Sequence, residues 1–259
     1  MSLNHINASQ GYVVPINPDG SSCVLLVCEH ASNHIPASFD ALGLSPEQRQ
    51  SHAAWDPGAM GVASRLADRL DAALIAGGVS RLVYDCNRPP SAPDAMPARS
   101  EVVDVPGNAD LTQSQRAARV ADFYHPFHSA LRAQIARVAD PILITVHSFT
   151  PVYHGARRAV EIGVLHDSDT RLADAMLHIA AAHTQANVQR NAPYGPEHGV
   201  THTLKEHAIG RGHLNVMLEM RNDLIETAAQ QDAMADMLAS WIAAACAHVG
   251  AAGGVQCRA

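Results

Sequence analysis

The chain alternates short apolar segments with longer segments of helical spacing, and this alternation constrains its fold more than any other feature. The apolar segments, typical of buried strands, are residues 24–28, 73–75, 81–84, 142–146, 160–165 and 214–220. Between them apolar residues recur every three or four positions, as at Val62, Leu66 and Leu70, which predicts amphipathic helices. This order predicts a three-layer α/β/α domain around a mainly parallel, mixed central sheet.

The chain has the length and composition of a globular protein with one large core. It has 259 residues, of which 47% are hydrophobic, and no linker-like stretch interrupts it. Single α/β domains of about 250 residues are common. We therefore expect one domain over residues 1–259, with peripheral tails at residues 1–20 and 248–259.

Charge and cysteine content argue against several classes of protein. The formal net charge is −7 and the basic residues form no run, so non-specific nucleic-acid binding has no electrostatic basis. The five cysteines contain no CxxC pair, which argues against a disulfide framework and a cysteine-based zinc module. No apolar run approaches the roughly 18 residues of a membrane helix, and the first residues lack a secretory pattern. We expect a cytoplasmic protein that binds neither nucleic acid nor membranes, and the sequence leaves its oligomeric state open.

Polar residues follow four of the predicted strands at the point where each strand ends. They are Glu29, His30, Asn87, Arg88, His147, Ser148 and Glu219. In a parallel α/β sheet the carboxyl ends of the strands lie at one edge, and ligands bind there. Residues spread along most of the chain are therefore expected to converge on one site.

Two histidines at this edge suggest a metal site. A catalytic zinc ion takes three protein ligands and keeps one position open for water. His30 and His147 are the predicted histidine ligands, and the third ligand is one of Asp56, Glu29 and Asn33. Asp56 is favoured because it is ionisable and begins a predicted helix, whereas Glu29 adjoins His30 on an extended strand and points to the opposite face. Asn33 offers only a neutral amide oxygen. We expect one Zn²⁺ per chain, with other divalent metals as alternatives.

The remaining polar residues at this edge fit a substrate that has a carbonyl and a carboxylate. Glu219 is the candidate general base, because a carboxylate beside a metal can take a proton from the water that attacks a carbonyl. Arg88 has a planar fork that suits a carboxylate, and Asn87 can add a hydrogen bond. The alternative for Glu219 is an ion pair with Arg221, and the alternative for Arg88 is a set of bonds to loop carbonyls.

Two loops are predicted near the same edge. Residues 195–212 have no periodicity and contain His202 and His207, which are candidates to donate a hydrogen bond to a transition-state oxyanion. Arg221, directly after the last strand, is a further candidate for substrate binding. Residues 91–110 are rich in Pro, Ala and Asp and are too long for a simple connector, which suggests a loop that covers a site.

Five segments resemble the N-formylglutamate amidohydrolase family and follow the family's order. They are residues 28–36 (CEHASNHIP), 55–59 (WDPGA), 80–89 (SRLVYDCNRP), 146–149 (VHSF) and 218–223 (LEMRND). Together they span nearly the whole predicted domain, which the resemblance implies to be a single catalytic domain. The family is similar in fold to the zinc-dependent exopeptidases.

The resemblance implies roles for individual residues. In zinc-dependent exopeptidases an Asn-Arg pair grips the substrate carboxylate, a His-Ser-aromatic step supplies a zinc ligand, and a late Glu is the general base. Asn87 and Arg88, His147 and Glu219 match those positions in order. Carboxypeptidases have Glu three residues after the first histidine ligand, and this chain has Asn33 there.

The resemblance also implies an activity. It indicates a hydrolase that cleaves the linear N-acyl amide of an acidic amino acid, such as N-formyl-L-glutamate, which gives formate and glutamate in histidine degradation. Two alternatives stay open: a metal-dependent peptidase or amidase that acts on a larger peptide, and a small-molecule-binding relative without catalysis. A lid formed by residues 91–110 favours a small substrate, whereas an open groove favours a peptide.

Overall fold

A seven-stranded sheet forms the middle layer of the protein in the computed structural model, which describes residues 11–251 and 255. The strands of the described residues are β1 Val13–Ile16, β2 Val24–Cys28, β3 Ala73–Gly77, β4 Arg99–Ser100, β5 Val103–Asp104, β6 Ile142–Phe149, β7 Val152–Tyr153, β8 Ala156–Arg157, β9 Ile162–Leu165, β10 Val188–Arg190 and β11 Asn215–Arg221. The order across the sheet is β1-β3-β2-β6-β11-β9-β10. β4 with β5, and β7 with β8, form separate two-stranded ribbons.

The centre of the sheet is parallel and its edges are mixed. β3, β2, β6 and β11 run parallel to one another. β1 runs antiparallel to β3, and β9 runs antiparallel to β11, with β10 parallel to β9. Because the central strands share one direction, their carboxyl ends lie at one edge of the sheet.

Helices cover both faces of this sheet. They are α1 Pro46–Gln50, α2 Ala59–Leu70, α3 Gln113–Arg119, α4 His125–Ile135, α5 Arg171–His183, α6 His202–His207 and α7 Ala228–His248. α2, α5 and α7 pack against one face, and α4 packs against the other. The predicted three-layer α/β/α fold with a mainly parallel, mixed sheet is therefore confirmed. Among the described residues no helix combines the length and apolarity needed to cross a membrane.

Strand β2 shows how the sequence builds the two cores. Val24, Leu26 and Cys28 face the helices α2, α5 and α7, whereas Leu25 and Val27 face the opposite layer. All five residues are fully buried. A strand covered on both faces reads as a continuous apolar run, which is why this strand could be predicted.

The strand predicted at residues 81–84 is wrong, because these residues form a buried turn. The hydroxyl of Ser80 donates to the Ala54 carbonyl at 2.8 Å and accepts from the Leu82 N–H at 3.1 Å. Leu82 and its two successors are buried against the second face of the sheet. These residues are apolar because they are buried. A buried turn has the same short apolar pattern as a buried strand, so the pattern alone does not distinguish the two.

Helix α2 begins later than the sequence predicts. Asp56 is the predicted cap, but Gly58 occupies the cap position with φ of 82°, and the helix begins at Ala59. A Cβ atom at Gly58 would lie 2.5 Å from the carbonyl oxygen of Ile225, so a side chain does not fit there. The Asp56 carboxylate is directed to other partners, as described below.

Two further predictions are corrected. Residues 13–16, predicted as part of a peripheral tail, form the edge strand β1. Residues 195–212, predicted as a loop, contain helix α6. A π-helical turn at Val120–Tyr124 joins α3 to α4. Parts of both predicted tails lie outside the described residues, at positions 1–10, 252–254 and 256–259.

Candidate active site

His30, Asp56, His147 and Glu219 lie together at the carboxyl ends of the central strands. His30 follows β2, and His147 on β6 lies opposite Glu219 on the neighbouring strand β11. Asp56 precedes α2, where its backbone N–H donates to the His30 carbonyl at 3.0 Å. All four residues are buried, with none more than 5% exposed. The fold thus brings two histidines, one aspartate and one glutamate from four parts of the chain to one point.

His30, Asp56 and His147 form a group that can hold a metal ion. One ligand atom of each residue lies within 4.8 Å of the others. Asp56 Oδ2 is 2.9 Å from His147 Nδ1 and 3.4 Å from His30 Nδ1. Two imidazoles and one carboxylate match in number the three protein ligands of a catalytic zinc site. Of the three residues considered for the third position, Asp56 belongs to this group, whereas Glu29 and Asn33 do not.

A carboxylate lies against the other ring nitrogen of each histidine. His30 Nε2 is 2.8 Å from Asp85 Oδ1, and His147 Nε2 is 3.1 Å from Glu29 Oε2. Outer carboxylates of this kind fix the orientation and tautomer of metal-binding histidines. Asp85 was not a predicted site residue, although it lies in the same motif as Asn87. Glu29, considered above as a ligand, takes this outer position instead.

Buried carboxylates outnumber the guanidinium groups paired with them in this cluster. The cluster contains four buried carboxylates, those of Glu29, Asp56, Asp85 and Glu219. Arg81 supplies one guanidinium, which is paired with Asp56. Buried charges are stable when they are paired or when they coordinate a metal. His30 Nδ1 and Glu219 Oε2 also lack a hydrogen-bond partner within the part of the chain that the structure describes. A divalent cation fits both this excess of negative charge and these unpaired atoms.

The two histidines of the group differ in their electrostatics. Burial, and after it the neighbouring Arg81, lowers the pKa of His30 to about 4, so that its ring is neutral near pH 7 and can bind a metal. Burial also disfavours the charged form of His147, but the Glu29 carboxylate outweighs burial and raises the pKa of His147. Burial disfavours the charged form of Glu29, but the neighbouring His147 outweighs burial and lowers the pKa of Glu29 to about 2. A cation bound beside His147 would offset the negative charge that otherwise favours protonation of this histidine.

Glu219 lies beside this group, and its Oε2 atom has no hydrogen-bond partner among residues 11–251 and 255. Burial raises the pKa of its carboxyl group, and its side chain lines the same cavity as the two histidines. A carboxylate with a raised pKa and a free oxygen is suited to take up and return a proton.

His52 and Arg81, which the sequence analysis did not single out, hold the second oxygen of Asp56. His52 Nε2 lies 3.4 Å from Asp56 Oδ1 and 2.7 Å from the Ser148 carbonyl. Arg81 forms an ion pair with the same Oδ1. Two weak features of the sequence could have indicated them. His52 precedes Asp56 by four residues, and Arg81 lies in the same motif as Arg88.

The group opens into a cavity of about 270 Å³. The segment 91–110 forms one wall through Pro97, Ser100 and Glu101, among other residues. Glu101 Oε1 is 3.1 Å from His52 Nδ1, and this contact ties the wall to the floor of the cavity. The volume lies just below the range of about 300–1,000 Å³ for small-molecule sites.

Asn87 and Arg88 line this cavity beyond the buried turn. Arg88 Nη1 donates to the carbonyls of Asn87 and Gly199 at 3.0 and 3.1 Å, and Nε donates to Asp94 Oδ2 at 2.7 Å. The Asn87 amide donates to the Val200 carbonyl at 2.6 Å. Arg88 therefore makes the bonds to loop carbonyls that are the alternative considered from the sequence, and it also pairs with a carboxylate of this chain.

The other three residues predicted to bind substrate lie outside the lining of the cavity. His202 Nε2 is 3.0 Å from the Tyr124 hydroxyl, and His207 Nε2 is 2.6 Å from His128 Nδ1. Both contacts arise because α6 turns these histidines toward α4 and the segment before it. Arg221 donates to carboxylates of two neighbouring residues. These three side chains are committed to contacts within the fold.

Comparison with known proteins places these residues in a wider context. Residues 22–226 match the family model of N-formylglutamate amidohydrolase, and this range includes every residue of the metal-binding group. The crystal structure of a gene product from Agrobacterium tumefaciens is similar with a TM-score of 0.91 at 50% identity, over 93% of this chain and 96% of that chain. The crystal structure of N-formylglutamate amidohydrolase from Ralstonia eutropha is similar in fold, with a TM-score of 0.64 at 16% identity, over 93% of this chain and 97% of that chain. No curated protein matches the chain significantly. The resemblance carried by the five sequence motifs is confirmed.

Proposed function

The chain belongs to the N-formylglutamate amidohydrolase family, and on this premise we propose that it is a zinc-dependent hydrolase of the N-formyl amide of an acidic amino acid, such as N-formyl-L-glutamate. The observation that carries the proposal is that the buried group of His30, Asp56 and His147 shares one cavity with Glu219 and Arg88. Metal ligands, a proton acceptor and a cation for a carboxylate are the parts that metal-assisted hydrolysis of such a substrate requires.

The metal site is built from this chain's own buried side chains. His30, Asp56 and His147 would hold the ion, and Asp85 and Glu29 would orient the two imidazole rings. A bound divalent ion supplies polarisation of the acyl oxygen and lowers the pKa of a water molecule toward about 7.

Glu219 carries the proton transfers in this proposal. Its carboxylate takes a proton from water as the water oxygen bonds to the acyl carbon. The same proton passes to the amide nitrogen as the C–N bond breaks, so that the free amine leaves and Glu219 returns to its ionised form. The products are formate and the free amino acid, and the overall reaction consumes one water molecule.

The shape of the cavity supports a small substrate over a peptide. Its volume of about 270 Å³ leaves room for a small molecule. The contact between Glu101 and His52 holds the wall formed by segment 91–110 in place. This wall limits the length of the cavity, whereas a peptide would need a longer groove.

The direct test measures the release of formate and of free amine from N-formyl-L-glutamate by the purified, zinc-loaded protein. We expect both products in equal amounts. N-formyl-L-leucinamide, which has no carboxylate, should be hydrolysed with kcat/KM lower by about tenfold or more, because charge-assisted hydrogen bonds to the substrate are lost. The absence of formate release, or equal rates on both compounds, would contradict the proposal.

Arg88→Ala should raise KM for N-formyl-L-glutamate by about tenfold or more, because the variant loses charge-assisted hydrogen bonds to the substrate carboxylate. Steady-state kinetics measure this change. The matched control is Arg137→Ala, which removes an exposed arginine paired with Asp19. Hydrolysis of the carboxylate-free leucinamide should respond little to Arg88→Ala, and an unchanged KM for the acidic substrate would remove the assigned role.

Asp85→Asn should lower the affinity for zinc by about 10- to 100-fold, the usual effect of changing an outer carboxylate of a metal ligand. Asn keeps the size of Asp85 and can still accept from the Asn87 N–H, which lies 2.8 Å from Oδ1. Competition with a chromophoric chelator measures the affinity. Asp104→Asn, on the exposed ribbon, serves as control. Equal affinities in Asp85→Asn and the wild type would show that this carboxylate does not support a metal ligand.

A further inference from the structure

The carboxylate-binding edge of Arg88 is occupied by a carboxylate of the same chain. Arg88 Nε donates to Asp94 Oδ2 at 2.7 Å. Both residues line the cavity that contains His30, Asp56 and His147. A substrate carboxylate that binds Arg88 through this edge therefore has to take the place of Asp94.

The two partners of this ion pair differ in how firmly they are held. The side chain of Arg88 is 15% exposed, whereas that of Asp94 is 54% exposed. Arg88 Nη1 also donates to the carbonyls of Asn87 and Gly199, at 3.0 and 3.1 Å, and these bonds hold the guanidinium in place. The guanidinium can therefore keep its position while the Asp94 carboxylate turns toward solvent.

The backbone that carries Asp94 is anchored. The next two residues, Ala95 and Met96, are at most 1% exposed. The Ala95 carbonyl accepts from the Asp85 N–H at 2.9 Å, which ties this part of the wall to the motif that carries Arg88. The fold therefore presents Asp94 to Arg88 from a fixed position.

We propose that Asp94 is a specificity-determining residue that competes with ligand carboxylates for Arg88. The inference rests on the proposed function of this cavity. An intramolecular competitor acts at a high effective concentration, so a carboxylate displaces it only when further contacts hold the ligand in place. A small free anion such as formate has no such further contacts and is therefore expected to bind more weakly than it would without Asp94. An N-acyl amino acid, which is also held at its acyl group, is admitted.

The test is calorimetric titration of glutarate, a dicarboxylate that cannot be hydrolysed, into the metal-loaded protein and its Asp94→Asn variant. Asn keeps an oxygen that accepts from Arg88 but removes the negative charge. We expect Kd for glutarate to fall by about fivefold, the upper end of the range for one partly exposed ion pair. Inhibition of hydrolysis by formate should strengthen in the same variant.

Two controls separate competition from other effects. Asp19→Asn removes an exposed carboxylate that pairs with Arg137 at 2.5 Å outside the lining of this cavity, and it should leave Kd within about twofold. In an Arg88→Ala background, Asp94→Asn should no longer change Kd, because the competitor and the ligand have lost their shared partner. Asp94→Ala should act in the same direction as Asp94→Asn.

Unchanged or weaker glutarate binding by Asp94→Asn would overturn the proposal, since Asp94 would then orient Arg88 and not compete with the ligand. Failure of glutarate to bind either form would overturn it as well. Because the titration does not measure turnover, a wild type that releases no formate refutes the proposed function separately, and the titration still decides the role of Asp94.

Discussion

Glu219→Gln is expected to lower kcat for amide hydrolysis by at least about a hundredfold, the usual scale of a general-base contribution. Glutamine has nearly the shape of glutamate but cannot take up the proton of the attacking water. Burial raises the pKa of Glu219, which is the direction that suits a group passing a proton from water to the leaving amine. The effect should therefore appear in kcat, with KM changed much less.

The same variant should keep its fold and its metal. Glu219 lies outside the group of His30, Asp56 and His147, so the ligand atoms are unchanged. Circular dichroism and metal content check these two properties. Glu226→Gln, at an exposed position before α7, is the matched control. Hydrolysis by Glu219→Gln at a rate comparable to the wild type would remove the mechanism.

Removal of the metal by a chelator is expected to abolish hydrolysis and to lower the melting temperature by about 5 °C or more. A ligand that binds only the native state stabilises it by about 2.7 kcal/mol at a concentration a hundredfold above Kd, and this corresponds to several degrees for a chain of this size. The buried carboxylates of Glu29, Asp56, Asp85 and Glu219 give the physical reason, because they lose the cation that offsets their charge. Addition of zinc should restore both properties.

His147→Ala is the control for this effect. The variant lacks one ligand, so its melting temperature should respond little to the chelator. Differential scanning calorimetry with and without chelator measures both proteins. If exhaustive chelation leaves the activity and the melting temperature of the wild type unchanged, the site does not hold a functional metal.

The sequence predicts the positions of residues that lie at the ends of regular strands. His30 and His147 follow or end apolar runs that are buried on both faces, and the parallel direction of β2 and β6 brings them to one edge. Both the hydrophobic pattern and the direction of the strands can be inferred without coordinates. The position of Asp56 depends on the segment before α2, which has no periodic pattern in the sequence.

The contacts that complete the site could not be predicted, because they join residues that are distant in the chain. His30 and Asp85 are 55 positions apart, and His52 and the Ser148 carbonyl are 96 positions apart. Spacing and periodicity give no signal for such pairs. The hydrogen bond between Arg88 and Asp94 likewise depends on the conformation of the long segment 91–110.

The elements that differ from the sequence prediction differ because of tertiary packing. Residues 81–84 are apolar because a turn buries them, and Ser80 stabilises this turn through its hydroxyl. His202 and His207 were assigned to a loop at the site, but α6 directs them to Tyr124 and His128. In each case tertiary packing decides the outcome over the local pattern.

Elemental analysis of the purified wild type and of His147→Ala decides whether His30, Asp56 and His147 hold a metal ion. We expect about one zinc ion per chain in the wild type, the stoichiometry of a site with three protein ligands, and a loss of this zinc in the variant. Absence of metal from the wild type even after reconstitution with zinc, or equal zinc in both proteins, would show that these residues do not form a metal site.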